Sequence, residues 1–160
     1  CFVPSAINEF MQTCSLGPSL TCLLIGGEAV PLKLCADLLS HPDHPDLTMR
    51  NIYGPTECSV MSTTTSAKAE KDIPPGGTVY MPIGKPVWWH DCWILDQHLE
   101  PSLSRQGELC VLGDGLGEGY LNLPDVTAKA FVKTPEWLRN MGIMTSPQMY
   151  RTGDLVRWLP

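Results

Sequence analysis

Two apolar runs, LTCLLI at 20–25 and LTMRNIY at 47–53, lie either side of one short helical stretch, and each ends in a glycine break followed by a glutamate. A continuously apolar run bounded by turns is the pattern of a strand buried on both faces of a parallel sheet. Between the runs, Pro31 opens a helix in which Leu32, Cys35, Leu38 and Leu39 share a face, and Pro42 ends it. Proline suits a first helical turn, where its missing N–H costs nothing. Strand, helix and strand of this length make a βαβ unit with a right-handed crossover. The loops Gly26-Gly27-Glu28 and Gly54-Pro55-Thr56-Glu57 then leave the sheet at the same edge. Open α/β sheets bind ligands there.

The second loop carries the chemistry. Thr56 can hydrogen-bond a phosphate oxygen, and Glu57 is a hard oxygen ligand suited to Mg²⁺. Tyr53 is a flat surface for a base, and Asn51 can pair with an adenine amino group through its side-chain carbonyl. The alternatives are an ordinary strand exit with polar residues in water, and a Tyr53 that packs sideways.

Elsewhere, residues 4–14 place Ile7, Phe10, Met11 and Cys14 at helical spacing. After residue 66 the chain turns polar and Pro/Gly-rich (SAKAEKDIPPGG), which predicts a connecting loop over 67–82. Short strand-like runs follow at 87–95, 107–112 and 150–158, a spacing that predicts a small β-barrel-like subdomain. One short helix is expected at 124–132, and a loop with a helical turn, anchored by Trp137, over 133–149. The expected organisation is thus 1–66 as the end of an α/β subdomain, 67–82 as a connector and 83–160 as a β-rich subdomain. GDGLGEG at 113–119 resembles a dinucleotide fingerprint, but YLNLP follows it in place of the helix such a site needs, so these glycines read as turns. Asp154, in RTGD, either accepts from the vicinal hydroxyls of a ribose or bonds its own backbone in a turn.

The chain has 160 residues, enough for one domain that buries roughly 70% of its unfolded surface. Its 43% hydrophobic and 18% charged residues are a globular composition, and the net charge of −6 argues against a nucleic-acid surface. No apolar run approaches the ~20 residues that span a bilayer. The chain opens without an initiator Met or a basic leader, as expected of an internal piece of a larger protein. Seven widely spaced cysteines without a CxxC predict reduced, buried thiols, Cys22 and Cys110 among them, in a cytoplasmic protein. His41 and His44 have metal-like spacing, but Pro42 and Pro45 break any helix between them, which predicts a loop of solvated histidines.

Taken in order, IGGEAV, NIYGPTE, GELCVLGDGLGEGYLN and YRTGDLVRW resemble the adenylation domains of nonribosomal peptide synthetases, within the superfamily of acyl-CoA synthetases and luciferases. FVPS at 2–5, IGKPV at 83–87 and LPDVTAKAFV at 123–132 extend the resemblance over nearly the whole chain. It implies an α/β fold, here the C-terminal part of the large domain of adenylate-forming enzymes. The implied activity is formation of an aminoacyl-adenylate and pyrophosphate from ATP, followed by transfer to a phosphopantetheine thiol. The implied cofactors are ATP and Mg²⁺. The implied partners are an amino acid, a carrier domain bearing phosphopantetheine and a condensation domain of the same assembly line, with no nucleic acid or membrane. By the same resemblance Asn51 contacts the adenine amino group, Tyr53 stacks on the base, and the backbone at Gly27 and Glu28, with Gly54, lines the nucleotide site. Thr56 holds the α-phosphate, Glu57 ligates Mg²⁺, and Asp154 binds the ribose. The side-chain pocket comprises Ile25, Gly27, Ile52, Val60 and Met61, whose apolar character implies a hydrophobic amino acid. Glu118 stands where the family often has Arg. No Ser/Thr/Gly-rich phosphate loop, amine-binding acid or C-terminal lysine is present, which implies that the segment alone does not turn over. Two other classes fit the residues: another adenylate-forming ligase of the acyl-CoA synthetase type, and a non-catalytic nucleotide-binding remnant.

Overall fold

The computed structural model describes residues 1–14, 16–72, 79–142 and 146–159. The chain divides into two compact units, one made of Cys1–Tyr53 with Thr63–Lys85 and the other of Gly54–Ser62 with Pro86–Pro160. The loop Gly54–Ser62, which the sequence groups with the first segment, belongs to the second unit.

In the first unit, helix α1 (Pro4–Thr13) leads to strand β1 (Cys22–Gly26), helix α2 (Leu32–Leu39) and strand β2 (Thr48–Tyr53). β1 and β2 pair in parallel, Cys22 with Thr48 through Gly26 with Ile52, so the βαβ unit forms as its apolar runs imply. Pro31 sits one position earlier than expected, at the N-cap of α2, and the helix ends at Leu39 with Ser40 as its cap, ahead of Pro42. Strand β3 (Thr63–Ala67) pairs antiparallel with β2. The two-residue β4 (Lys85–Pro86) is next in sheet order, where the chain leaves the unit. Ile7 from α1, Leu23 and Ile25 from β1, Cys35 and Leu38 from α2 and Met49 from β2 make one buried core. Burying a side chain of this size contributes about 1.5–3 kcal/mol.

The second unit carries strands β5 (His90–Leu95), β6 (Gln106–Gly113), β7 (Phe131–Lys133) and β8 (Gln148–Arg157), in the order β5-β6-β8-β7 and antiparallel throughout. The expected barrel-like subdomain is this open four-stranded sheet; among the described residues no pairing joins β5 to β7. Helix α3 (Pro124–Ala130) is shorter than expected, because the chain turns into β7 at Phe131. Helix α4 (Glu136–Asn140) supplies the helical turn expected near Trp137. Leu95, Cys110, Leu112, Leu138 and Met149 form the core, with Trp93 and Trp137 edge-to-face at 5.4 Å against it. Of the expected connector 67–82, residues 73–78 lie outside the described residues, as do 143–145 of the segment 133–149.

All seven cysteines are free. Cys35, Cys58 and Cys110 are buried, and burial pushes their thiols up to about 11, about 12 and about 12, so they stay unreactive. Cys22, expected inside, is exposed at the start of β1. The histidine loop also departs from expectation. His44 is only 2% exposed, because successive turns closed by His44 N–H to His41 O and Leu47 N–H to His44 O fold it inward.

Candidate functional site

The first unit positions the β1 and β2 exits. Asn51 on β2 is 4% exposed, and its Nδ2 donates to the carbonyls of Met81 (3.2 Å) and Pro82 (2.9 Å). Carbonyls only accept, so the amide nitrogen must face them, and Oδ1 is directed away from both contacts. Tyr53, at the end of β2, is half-buried. Ile25 and Ile52 are buried, and Gly27 and Glu28 are exposed on the loop after β1.

Glu28 has a structural partner. Its two carboxylate oxygens accept the backbone N–H (3.1 Å) and hydroxyl (2.8 Å) of Ser5 in the first turn of α1. No side chain caps that helix locally, and its first turn holds no acidic residue. A carboxylate there satisfies an orphan N–H and complements the positive end of the helix dipole. The carboxylate is therefore a clamp between FVPS and GGE, and the loop's main chain is what remains for a ligand.

The second unit holds Thr56 and Glu57 on a single 3-10 turn, Thr56–Cys58, with Thr56 exposed and Glu57 half-buried. The loop closes tightly: Val60 N–H donates to Pro55 O, and a Cβ on Gly54 would lie 2.6 Å from Ser62 N and Val60 O, so only glycine fits. Ser59 and Val60 both have left-handed backbones, φ 53° and 71°. For a β-branched residue such as Val60 that conformation costs about 1–3 kcal/mol, and strain of this kind clusters at ligand sites. Val60 is 61% exposed and Met61 half-buried.

Glu57 Oε1 accepts the Tyr120 hydroxyl at 2.5 Å, and the Tyr120 and Tyr150 hydroxyls lie 3.5 Å apart. The Tyr120 hydrogen bond holds the Glu57 carboxyl below the ordinary glutamate range. The same bond raises the Tyr120 phenol, and burial raises Tyr150. The carboxylate is thus ionised and oriented by neutral donors, with no cation in these bonds to cancel its charge.

Asp154 is exposed on β8, where the ladder with β6 is interrupted. Two steps of β6, Glu108 to Cys110, face four steps of β8, Leu155 to Arg151, so Thr152–Asp154 bulge out of the sheet. Bulges of this kind re-aim side chains beside functional sites. Glu108 secures the bulge: Oε2 takes Arg151 Nε (3.0 Å) and Nη2 (2.5 Å), and Oε1 takes Gly153 N–H (3.1 Å). Gly153 adopts φ 76°, and Asp154 N–H donates to Thr152 Oγ1 at 3.0 Å. Glu108, Arg151 and Tyr120 stand inside motifs quoted from the sequence, yet no local pattern there marks the first as partner of the second or the third as partner of Glu57.

Among the described residues no group of three or more His, Cys, Asp or Glu side chains could hold a metal ion. Mg²⁺ in nucleotide sites is ordinarily held by one or two carboxylates and the substrate's own phosphates. A single charged, oriented glutamate beside an exposed threonine fits that arrangement. The candidate residues divide evenly between the two units: Ile25, Gly27, Glu28, Asn51, Ile52 and Tyr53 lie in the first, and Gly54, Thr56, Glu57, Val60, Met61 and Asp154 in the second.

The AMP-binding enzyme family model matches residues 1–121. Malpinin synthetase of Mortierella alpina is 39% identical over 161 residues, covering 99% of this chain and 2% of that protein. Tyrocidine synthase 3 of Brevibacillus parabrevis is 39% identical over 143 residues, covering 89% of this chain and 2% of that protein. The chain thus spans only a small part of the length of these relatives. Among solved structures, PA1221, described as a nonribosomal peptide synthetase protein containing adenylation and PCP domains, superposes with a TM-score of 0.77 at 27% identity, over 98% of this chain and 30% of that one. The chain belongs to the AMP-binding enzyme family and corresponds to a segment of a nonribosomal peptide synthetase adenylation domain.

Proposed function

We propose that this chain is part of an ATP-dependent enzyme that adenylates a hydrophobic amino acid for nonribosomal peptide synthesis. The amino-acid carboxylate oxygen attacks the α-phosphorus of ATP, the bond to the bridging oxygen breaks, and pyrophosphate leaves. The single observation that carries this reading is the Thr56–Glu57 turn, with its carboxylate ionised and fixed by Tyr120. Mg²⁺ held at Glu57 supplies positive charge that offsets the charge developing on the phosphates. Thr56 holds the α-phosphate. Asn51 Oδ1 accepts from the adenine amino group, Tyr53 stacks on the base, and the main chain at Gly27, Glu28 and Gly54 packs against the nucleotide. Asp154, carried out of the ladder by its bulge, accepts from the ribose hydroxyls. The segments assigned from sequence at 1–66, 67–82 and 83–160 belong to the same reading, except that the loop Gly54–Ser62 goes with the second unit.

The pocket assigned to the substrate side chain comprises Ile25, which is itself buried in the core, with Gly27, Ile52, Val60 and Met61, and none of them offers a polar side-chain partner. Leaving a polar substrate group unpaired there costs roughly 1–3 kcal/mol. A phosphopantetheine thiol on a carrier domain then attacks the acyl carbonyl, the acyl–phosphate bond breaks to form the thioester, and AMP leaves, with a condensation domain in the same cytoplasmic assembly line. The adenylation and PCP domains named for PA1221 support a carrier partner. No helix among the described residues is long and apolar enough to cross a membrane. The test is amino-acid-dependent ATP–pyrophosphate exchange by the full-length protein against a panel of amino acids. Exchange led by apolar amino acids is expected, with none from the isolated 160 residues. Preference for a charged amino acid overturns the pocket assignment, and exchange with fatty acids alone overturns the amino-acid reading.

A further inference from the structure

The glycine-rich segment Gly113–Tyr120 has no part in the nucleotide and substrate contacts proposed above, although it is tied to the Glu57 loop at three points. Gly117 N–H donates to Glu57 O at 2.7 Å, Ser59 Oγ donates to Gly115 O at 2.8 Å, and the Tyr120 hydroxyl donates to Glu57 Oε1 at 2.5 Å. The first two bonds fix the main chain of the turn, and the third fixes the carboxylate itself.

Tyr120 is itself held from three sides. Its N–H donates to Thr127 Oγ1 on α3 at 2.8 Å, its ring stands edge-on to Phe131 at 5.8 Å, and its hydroxyl lies 3.5 Å from that of Tyr150. Phe131 and Tyr150 are buried and pack together at 4.9 Å. Glutamate loses much rotamer freedom when it is ordered. A phenol locked by its own packing removes that freedom before a ligand arrives. The choice of donor matters as well. A lysine or arginine in the same place would order the carboxylate and also neutralise it, whereas a phenol orders it and leaves the full negative charge for a cation.

We propose that Tyr120 is a positioning residue for Glu57, with Gly115–Tyr120 as the brace that presets the metal-facing turn. This rests on Glu57 being the metal-facing carboxylate of the proposed function. The test uses the full-length protein and two readouts: Mn²⁺ binding in the presence of ATP, followed by the electron paramagnetic resonance of the free ion, and the Mg²⁺ concentration giving half-maximal pyrophosphate exchange. Tyr120→Phe keeps the ring and removes the hydroxyl. It is expected to weaken Mn²⁺ binding and raise the Mg²⁺ requirement roughly tenfold. Saturating Mg²⁺ is expected to restore most of the rate, with the KM for the amino acid unchanged. Ser59→Ala cuts only the link to Gly115 and is expected to shift the metal requirement in the same direction by a smaller factor; it carries the test if Tyr120→Phe does not fold. Glu57→Gln separates the metal assignment from the positioning role. Unchanged metal binding in Glu57→Gln overturns the metal assignment of Glu57 and the brace with it. Weakened binding in Glu57→Gln with parental binding in Tyr120→Phe, or in Ser59→Ala when that variant carries the test, overturns the positioning role alone.

Discussion

Two glutamates follow the two strand exits, and they are held in opposite ways. Glu28 gives both carboxylate oxygens to Ser5 at the start of α1, a structural bond that ties one loop to one helix. Glu57 receives a phenol on Oε1, and its carboxyl is held below the ordinary range by that donor. Both follow a glycine break at the end of an apolar strand, so the local sequence pattern does not tell them apart. The difference lies in the partner. Ser5 at the helix N-terminus engages both oxygens of Glu28 in a structural bond, whereas the Tyr120 phenol engages Glu57 through Oε1 and orients it.

The largest expected effect follows from that contrast. Glu57→Gln is expected to lower the rate of pyrophosphate exchange by about 10²-fold or more, comparable to losing one preorganised electrostatic contact in a transition state. Glu108→Gln comes next. It removes the charge that holds Arg151 and Gly153, and is expected to cost about 2 kcal/mol in urea unfolding. It is also expected to raise the KM for ATP, since the bulge bearing Asp154 loses its anchor. Gly153→Ala meets no steric obstacle, as nothing lies within 4 Å of the added Cβ, but φ 76° is costly for any other residue. A loss of about 1 kcal/mol is expected, read as a fall in unfolding temperature. Glu28→Ala is expected to cost somewhat less, about 0.5–1 kcal/mol, with ATP affinity kept.

The smallest effect is the pH dependence of stability. A carboxyl lowered by folding contributes stability that is fully present above its unfolded value and is lost as pH falls through its folded value. Urea unfolding of Tyr120→Phe is therefore expected to show a weaker loss of stability on acidification below the ordinary glutamate range than the parent does.

The βαβ unit is legible in the sequence because its apolar runs are continuous and its ends are marked by glycine and proline. β3 is not, since TTTSA is polar along most of its length and becomes a strand only by pairing with β2, Asn51 opposite Thr65. β7 is masked in the same way. The helical periodicity of LPDVTAKAFV carries through Phe131, but the pairing of Phe131 with Tyr150 converts the end of the expected helix into strand. At the site, the residue types at 51–57 and 154 suggest their chemistry directly. Their supports do not, because Tyr120 and Glu57 are 63 residues apart and Arg151 and Glu108 are 43 apart. Composition hides His44: a histidine between prolines and aspartates reads as solvated, and only the fold's successive turns bury it.

The most direct test of the contrast between the two glutamates is metal-dependent ATP binding by the full-length protein, measured by calorimetry for Glu57→Gln and Glu28→Gln side by side. Glu57→Gln is expected to lose the Mg²⁺-dependent part of the affinity, and Glu28→Gln to keep it while unfolding at a lower temperature. Loss of that affinity in Glu28→Gln, with Glu57→Gln unaffected, would contradict the assignment of Glu57 to the metal and Glu28 to the helix.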